Sequence, residues 1–404
     1  MKIAVLLGDG MADRPQEAYG GRTALEAART PHMDELARRG SLGLTGTVPE
    51  GMPAGSDVAN LSVFGYDPRE CYTGRAPLEA AAMGIEMGPG DVAYRMNLVT
   101  LLVGVGQVYM HDFSAGHIST EEAREIVRAL SEHLSDDGLE LHAGVGYRHL
   151  LVWRNGRAGA QTVPPHDILG QPIHAHLPRG EGADVLLHLI TGSQMLLKDH
   201  PVNRARREKG QDEANSIWLW GQGGPPRMET YRERYGLSGT VVSAVDLLKG
   251  IGRLAGLEAP TIPGATGYLD TDYGAKVEAA LGALDEGDFV YLHVEAPDEV
   301  SHAGDAGAKI QAIEDFDGRV VGPVWEGLEE RGEPYVLMVL PDHPTPLDLR
   351  THTADPVPFV VYRAGEPPAR PGQGFTEAAA AATGLRVPRA HRLLGHLIGR
   401  DRLW

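Results

Sequence analysis

The sequence predicts an α/β protein, a mostly parallel sheet sandwiched by helices, with a second α/β or α+β domain inserted into it. Three observations carry this. Short apolar runs near both ends of the chain alternate with helical segments. Each run stops at polar residues, as strands do where they reach the functional edge of an open α/β sheet. The middle of the chain has another character, with mixed strands and helices and loops rich in Arg and His.

The elements follow in order. Ile3–Leu7 reads as a buried strand ending at Gly8-Asp9-Gly10, and a helix follows Thr30-Pro31. A Gly/Pro-rich loop, Gly51 to Gly55, ends in Ser56 just before a helical stretch at Val58–Phe64. The middle holds a helix at Thr120–Leu134 and loops at Arg148-His149, Pro164-Pro165-His166-Asp167 and Asn203 to Lys209. Trp218-Leu219-Trp220 reads as core packing. Gly250-Ile-Gly252 to Gly256 follows a helical Asp246–Lys249 rather than a strand, so it reads as a turn and not a dinucleotide loop. Phe289–Val294, Tyr335–Leu340 and Val357–Tyr362 are further strands of the parallel type. Every candidate metal ligand lies outside the middle. The expected organisation is therefore one domain from 1–80 plus 238–404 and an inserted, substrate-binding domain at 81–237.

Composition narrows the function. The 404 residues include 37 Lys+Arg against 55 Asp+Glu, a net charge of −18. That argues against nucleic acid or an anionic membrane as partner, which need a basic footprint. A single cysteine, Cys71, excludes an internal disulfide framework and any multi-Cys metal site. The opening MKIAVLLGDGMAD has too short an apolar run for a signal peptide, and no stretch reaches membrane-spanning length, so a cytoplasmic location is expected.

The chemistry gathers at the predicted strand ends. Asp9 follows the first strand, Asp298 and His302 follow Phe289–Val294, Asp342-His343 follow Tyr335–Leu340, and His352 precedes Val357. Three Asp and three His without Cys suit Zn or Mn, with Co possible, and are too rich in imidazole for Ca. The D-x-x-x-H spacing puts Asp298 and His302 on one face if they begin a helix. Six ligands are too many for one tetrahedral ion but suit a pair, and two-metal sites clamp the attacking and leaving oxygens of phosphoryl transfer. Ser56, at a helix start, reads either as an N-cap or as a nucleophile whose hydroxyl a metal would activate.

These residues carry a resemblance. The stretches Leu7-Gly-Asp9-Gly-Met-Ala-Asp13, Gly55-Ser56-Asp57-Val-Ala-Asn60-Leu-Ser, Ala296-Pro-Asp298 with His302, Pro341-Asp342-His343 and His352-Thr-Ala-Asp355-Pro resemble the archaeal-type cofactor-independent phosphoglycerate mutases. That family is a branch of the alkaline-phosphatase-like metalloenzymes, and the similarity runs essentially the full length. The resemblance implies an alkaline-phosphatase-like sheet and interconversion of 3-phosphoglycerate and 2-phosphoglycerate without 2,3-bisphosphoglycerate. It implies two divalent metal ions, Mn first and Co, Zn or Mg behind it. One would sit on Asp298, His302 and His352, the other on Asp9, Asp342, His343 and the oxygen of Ser56. Ser56 would be the nucleophile that carries the phosphoryl group while glycerate reorients. The alternative is a metal-dependent phosphatase or phosphomutase of the same superfamily with another phosphorylated substrate.

The inserted domain would then hold the substrate's carboxylate and keep glycerate from escaping, which calls for cationic anchors and exclusion of water. Candidates are Arg204, Arg207, Lys209, Arg148 and Arg95, because a guanidinium pairs bidentately with a carboxylate. His111 and Asp112 are candidate proton shuttles for the glycerate hydroxyls.

Overall fold

The computed structural model describes residues 1–136 and 138–404. The chain divides into two compact units, Met1–Tyr72 with Arg227–Trp404 and Thr73–Pro226. The sequence placed the joints at 80/81 and 237/238. In the structure the helix Arg75–Ala82 belongs to the inserted unit, because Ala76 and Ala80 pack on Ala93 and Leu150 of that unit's own sheet. Thr230–Tyr235 belongs to the first unit, where Tyr231 donates its hydroxyl to the Phe64 carbonyl.

The first unit is built on a seven-stranded sheet. Its order is Gly239–Val242, Phe289–Val294, Lys2–Gly8, Tyr335–Leu340, Val357–Arg363, Ser41–Thr45 and Arg386–Val387. Lys2–Gly8 lies between Phe289–Val294 and Tyr335–Leu340 and runs parallel to both. These strands are buried along almost their whole length and are largely apolar, as parallel strands covered on both faces are. Val357–Arg363 runs antiparallel to both its neighbours, unlike the parallel strand its apolar run predicts. The reason is its connection. A parallel return needs a crossover, usually helical, and 341–356 contains no helix, so the chain re-enters the sheet from the end it has just left. The core behind the sheet includes Leu6, Met33, Leu292, Phe316, Val324 and Leu337.

Local chemistry sets several boundaries. Asp317, fully buried, accepts the backbone N–H groups of His32 and Met33 and so caps the helix Pro31–Arg39 in place of its own N-cap residue. Gly250 and Gly252 lie inside the helix Asp246–Leu254, which corrects the predicted turn. A Cβ on Gly252 would stand 2.6 Å from Val241 Cγ2, so glycine lets the helix seat closely on its strand.

The inserted unit is an antiparallel α+β layer. Val92–Val103 pairs with Val108–Asp112, Arg148–Trp153 and Ser216–Gly223, and Leu139–Val145 extends the sheet beyond Arg148–Trp153. The helices Thr120–Leu134 and Ala183–Leu197 bury Ile126, Leu130, Leu186 and Ile190 against it. The first of these spans the predicted residues and opens with a capping box between Ser119 and Glu122. Arg148-His149, read from sequence as a loop, begins a strand, which turns Arg148 outward and buries His149. Among the described residues no helix is long and apolar enough to cross a membrane.

Candidate active site

Three adjacent parallel strands, Phe289–Val294, Lys2–Gly8 and Tyr335–Leu340, deliver their next residues to one edge. Asp9 follows the middle strand. The helix Ala296–Ala303 begins two residues after Val294 and carries Asp298 and His302 one turn apart, with His302 Nε2 3.2 Å from Asp298 Oδ2. Asp342 and His343 follow Leu340, and the helix-free return to Val357 brings His352 back to the same place. The backbone is tight here. Gly10 has φ +62°, and a Cβ on it would stand 2.6 Å from Asp298 Oδ1. Only glycine accommodates both.

The buried floor of the site is Asp9, Asp342 and His343. Asp342 Oδ1 accepts the N–H groups of Gly10 (3.2 Å) and His343 (2.9 Å), while Oδ2 accepts from Asn60 Nδ2 (2.8 Å). His343 Nε2 lies 3.2 Å from Asp342 Oδ2, 3.5 Å from Asp9 Oδ1 and 3.0 Å from Ser56 Oγ. The outer group is Asp298, His302 and His352. His302 Nε2 and His352 Nε2 are 2.9 Å apart, and His352 Nε2 lies 3.4 Å from Asp298 Oδ1. The His343 and His352 rings stack with centroids 3.9 Å apart, so the two groups adjoin.

Ser56 does not cap its helix. Gly55 occupies the N-cap and Ser56 is the first helical residue, so its hydroxyl is left to meet His343.

The electrostatics of this edge fit divalent cations. All ion pairs of Asp9, Asp298 and Asp342 among the described residues are with histidines. Burial, and the charges of Asp342 and Asp298, push the Asp9 carboxyl well above its usual range. Burial would also raise Asp298, but hydrogen bonds from His302 and His352 outweigh it and hold this carboxyl well below its usual value. Asp9 Oδ1 is buried without a hydrogen-bond partner. The histidines turn their Nε2 atoms inward. His302 Nδ1 meets the Arg350 carbonyl (2.9 Å) and His352 Nδ1 the Ala54 carbonyl (3.1 Å), so each keeps its proton there. Thr345 Oγ1 donates to Asp298, so at 3.2 Å it accepts from His343 Nδ1. The hydrogen bond to Asp298 raises His302 to about 9 and, against burial, lifts His352 as well, so both also carry an Nε2 proton. A cation would displace those protons, and three Nε2 atoms, held from behind by backbone and hydroxyl acceptors, would then face it beside the carboxylates. Asp298, His343 and His352 form one compact donor set and Asp9, Asp342 and His343 another. His302 adjoins the first through its contacts with Asp298 and His352.

In the inserted unit the candidate cations part company. Arg95, on the central strand, is buried with its guanidinium 4.3 Å from the centroid of the Trp220 ring. Glu79 Oε2 is 3.0 Å from Arg95 Nε but out of line with its N–H, which has no acceptor. Burial, with Arg75 and Arg148 nearby, lowers Arg95 to about 10 against the pull of Glu79. His166 packs edge-on against the other aromatic partner of this cluster, Trp220. The helix Pro201–Glu208 is different. Arg207 is forked onto Glu213 by two 2.7 Å bonds, and Arg204 and Lys209 lie exposed. His111 sits 3.5 Å from Asp212. Asp112 Oδ1 accepts from Ser114 N, Ser114 Oγ and Gly116 N, which makes it the anchor of its own turn. Those bonds outweigh burial and lower its carboxyl, contrary to what a proton shuttle near neutrality needs.

Sequence reasoning passed over four residues that this site uses. Asn60 is fully buried and ties Asp342 to the Ser56 carbonyl and to the Tyr291 hydroxyl. Thr345 links Asp298 to His343, and buried Lys309 holds the Thr345 carbonyl (2.8 Å) and Asp13 (3.0 Å). His293 Nε2 touches Asp9 Oδ2 at 2.9 Å. A histidine inside the apolar run Phe289–Val294 was the one signal available for the last.

A family model described as 2,3-bisphosphoglycerate-independent phosphoglycerate mutase matches residues 37–203. A probable enzyme of that name from Geobacter sulfurreducens is 57% identical over 99% of this chain and 100% of its own length. One from Methanosarcina mazei is 49% identical over 98% and 100%. Among solved structures, a Pyrococcus horikoshii protein superposes with TM-score 0.84 at 30% identity, covering 100% of this chain and 98% of its own. The cofactor-independent phosphoglycerate mutase of Thermoplasma acidophilum gives 0.68 at 27%, covering 98% and 99%.

Proposed function

The chain belongs to the 2,3-bisphosphoglycerate-independent phosphoglycerate mutases, and from that premise we propose that it interconverts 3-phosphoglycerate and 2-phosphoglycerate through a phosphoserine at Ser56. The observation that carries this reading is the Ser56 hydroxyl, released from capping and set 3.0 Å from His343 Nε2 at the edge of a cluster of three carboxylates and three histidines. Asp298, His302 and His352 would hold one divalent ion, and Asp9, Asp342, His343 and Ser56 Oγ the other. Mixed imidazole and carboxylate donors suit manganese, zinc or cobalt, and manganese is the ion we propose, with cobalt, zinc or magnesium behind it. Bound there, the ions would lower the hydroxyl's pKa and neutralise charge on the phosphoryl oxygens.

Ser56 Oγ forms a bond to phosphorus as the bond from phosphorus to the substrate's C3 oxygen breaks, and the serine's proton ends on the released glycerate oxygen. Glycerate then offers its C2 hydroxyl. A new bond forms from that oxygen to phosphorus, the Oγ–P bond breaks, and the hydroxyl proton returns to Ser56. Asn60 and Thr345 keep Asp342, His343 and Asp298 in register throughout, so they act on positioning. Glycerate must be retained between the two halves, because water attacking phosphoserine would make the protein a phosphatase. In the inserted unit we assign its carboxylate to the Arg95 cluster, with Arg148 and Arg75, and not to the helix Pro201–Glu208. The support is that the Arg95 Nε–H lacks an acceptor, whereas Arg207 is already satisfied by Glu213. Phosphoglycerates belong to glycolysis, which fits the cytoplasmic location expected from sequence.

Phosphorus NMR of 3-phosphoglycerate with the manganese-loaded protein, no bisphosphoglycerate added, tests the reading. A 2-phosphoglycerate signal with little inorganic phosphate is expected. Inorganic phosphate as the sole product would reassign the protein as a phosphatase.

A further inference from the structure

A fourth histidine stands at the site, wired opposite to the three others. His293 is fully buried on the strand Phe289–Val294, directly across from Leu7 and so beside the end of the strand that delivers Asp9. Its two nitrogens have one partner each. Nδ1 lies 3.1 Å from Ser243 Oγ, and Nε2 lies 2.9 Å from Asp9 Oδ2.

The tautomer follows from counting protons. Ser243 Oγ already accepts the N–H of Val245 at 3.0 Å. Its own proton has one acceptor within reach, His293 Nδ1. A bare Nδ1 accepts it, so the ring's proton is on Nε2 and is donated to Asp9 Oδ2. The reverse tautomer would leave the Ser243 proton unplaced and, with Asp9 ionised as a ligand must be, would point a bare nitrogen at its carboxylate, and a buried group without its partner costs about 1–3 kcal/mol. The backbone is pinned too, since Lys276 Nζ donates to the His293 carbonyl at 3.2 Å. The relay from Val245 through Ser243 and His293 therefore fixes one oxygen of Asp9 and leaves the other, Oδ1, without a hydrogen bond and facing His343 Nε2 at 3.5 Å.

We propose that His293 is a positioning residue, locked by Ser243 as an Nε2–H donor, that holds Asp9 so that Oδ1 alone is presented to a divalent cation on the floor of the site. The proposal rests on the reading of Asp9 as a ligand. It separates His293 from His302, His343 and His352, whose Nδ1 atoms donate to fixed acceptors outside the site and whose Nε2 atoms face the place of the cation. One histidine is tuned to donate and three to coordinate.

The test is Mn²⁺ binding to the full chain, followed as free Mn²⁺ by electron paramagnetic resonance, without substrate or turnover. The wild type is expected to bind two ions. His293→Leu should weaken one of the two by about 10–100-fold, the usual cost of losing such an outer partner, and leave the other unchanged. His293→Gln offers an amide N–H at the same reach and should restore that ion to within a few-fold. Ser243→Ala, which frees the tautomer, should weaken the same ion by about fivefold, the worth of one hydrogen bond. Unchanged binding of both ions in His293→Leu overturns the proposal, and so does equal weakening of both, which would mark a merely structural role. If His293→Leu does not fold, failure of Ser243→Ala to move either ion overturns it instead. Asp9→Asn separates the two levels. Loss of one ion there keeps Asp9 as a ligand whatever His293 does, and retention of both at wild-type affinity removes the reading beneath the proposal.

Discussion

Ser56→Ala is expected to lower kcat by about 10⁴-fold or more, the scale at which removal of a nucleophile acts. The same variant should stay folded and keep its metal. Gly55, not Ser56, is the N-cap, and the Ser56 hydroxyl makes no bond within its helix, so the helix loses no cap. Alanine is the better helix former, so the melting temperature should hold or rise slightly. Asp9, Asp298, His302, Asp342, His343 and His352 all remain, so two divalent ions should still bind. Steady-state kinetics beside a melting curve and a metal count make the measurement. Normal turnover in a folded, metal-loaded Ser56→Ala protein would end the phosphoserine account, whereas a variant that unfolds would show that Ser56 serves the helix after all.

Arg95→Lys should separate retention of glycerate from the chemistry. Lysine keeps the charge but loses the fork that matches a carboxylate. A hydrogen bond to a charged group is worth about 1.5–3 kcal/mol, so kcat/KM should fall roughly tenfold to a hundredfold. More of each phosphoryl group should go to water, raising inorganic phosphate relative to 2-phosphoglycerate. Arg207→Gln is the control. Its guanidinium is already spent on Glu213 at an exposed site, so both kcat/KM and the product ratio should stay near wild type. The reverse pattern, a silent Arg95→Lys and a leaky Arg207→Gln, would return the carboxylate to the helix Pro201–Glu208.

The uneven legibility of the sequence has physical causes. Asp9, Asp298, Asp342 and His343 could be found because a parallel strand ends at a fixed edge, and whatever follows an apolar run must lie there. The i, i+4 spacing of Asp298 and His302 carries the same certainty on a helix. His352 needs more, since only the antiparallel entry of Val357–Arg363 explains why a residue ahead of that strand returns to the same edge. The inserted unit gave weaker guidance. Arginines cluster in sequence at Arg204 to Arg207, yet Arg206 and Arg207 there are consumed by Glu122 and Glu213. Among the described residues the arginine with a buried N–H lacking an acceptor is Arg95, mid-strand, and its surroundings come from Glu79, Trp220, Arg75 and Arg148, which local patterns cannot join. In sequence Asn60 is only a member of the stretch that follows Ser56, and His293 is one polar residue in an apolar strand. Both acquire roles only through partners 231 to 284 residues away.

The claim that the phosphoryl group rests on Ser56 is open to one direct observation. Turnover with 3-phosphoglycerate is stopped with acid, which preserves a phosphate ester of serine, and the chain is digested and its peptides mapped by mass spectrometry. The account predicts a single phosphate on the peptide containing Ser56, absent without substrate and absent from Ser56→Ala. Phosphate on another serine, or none on the protein while 2-phosphoglycerate accumulates, would contradict it.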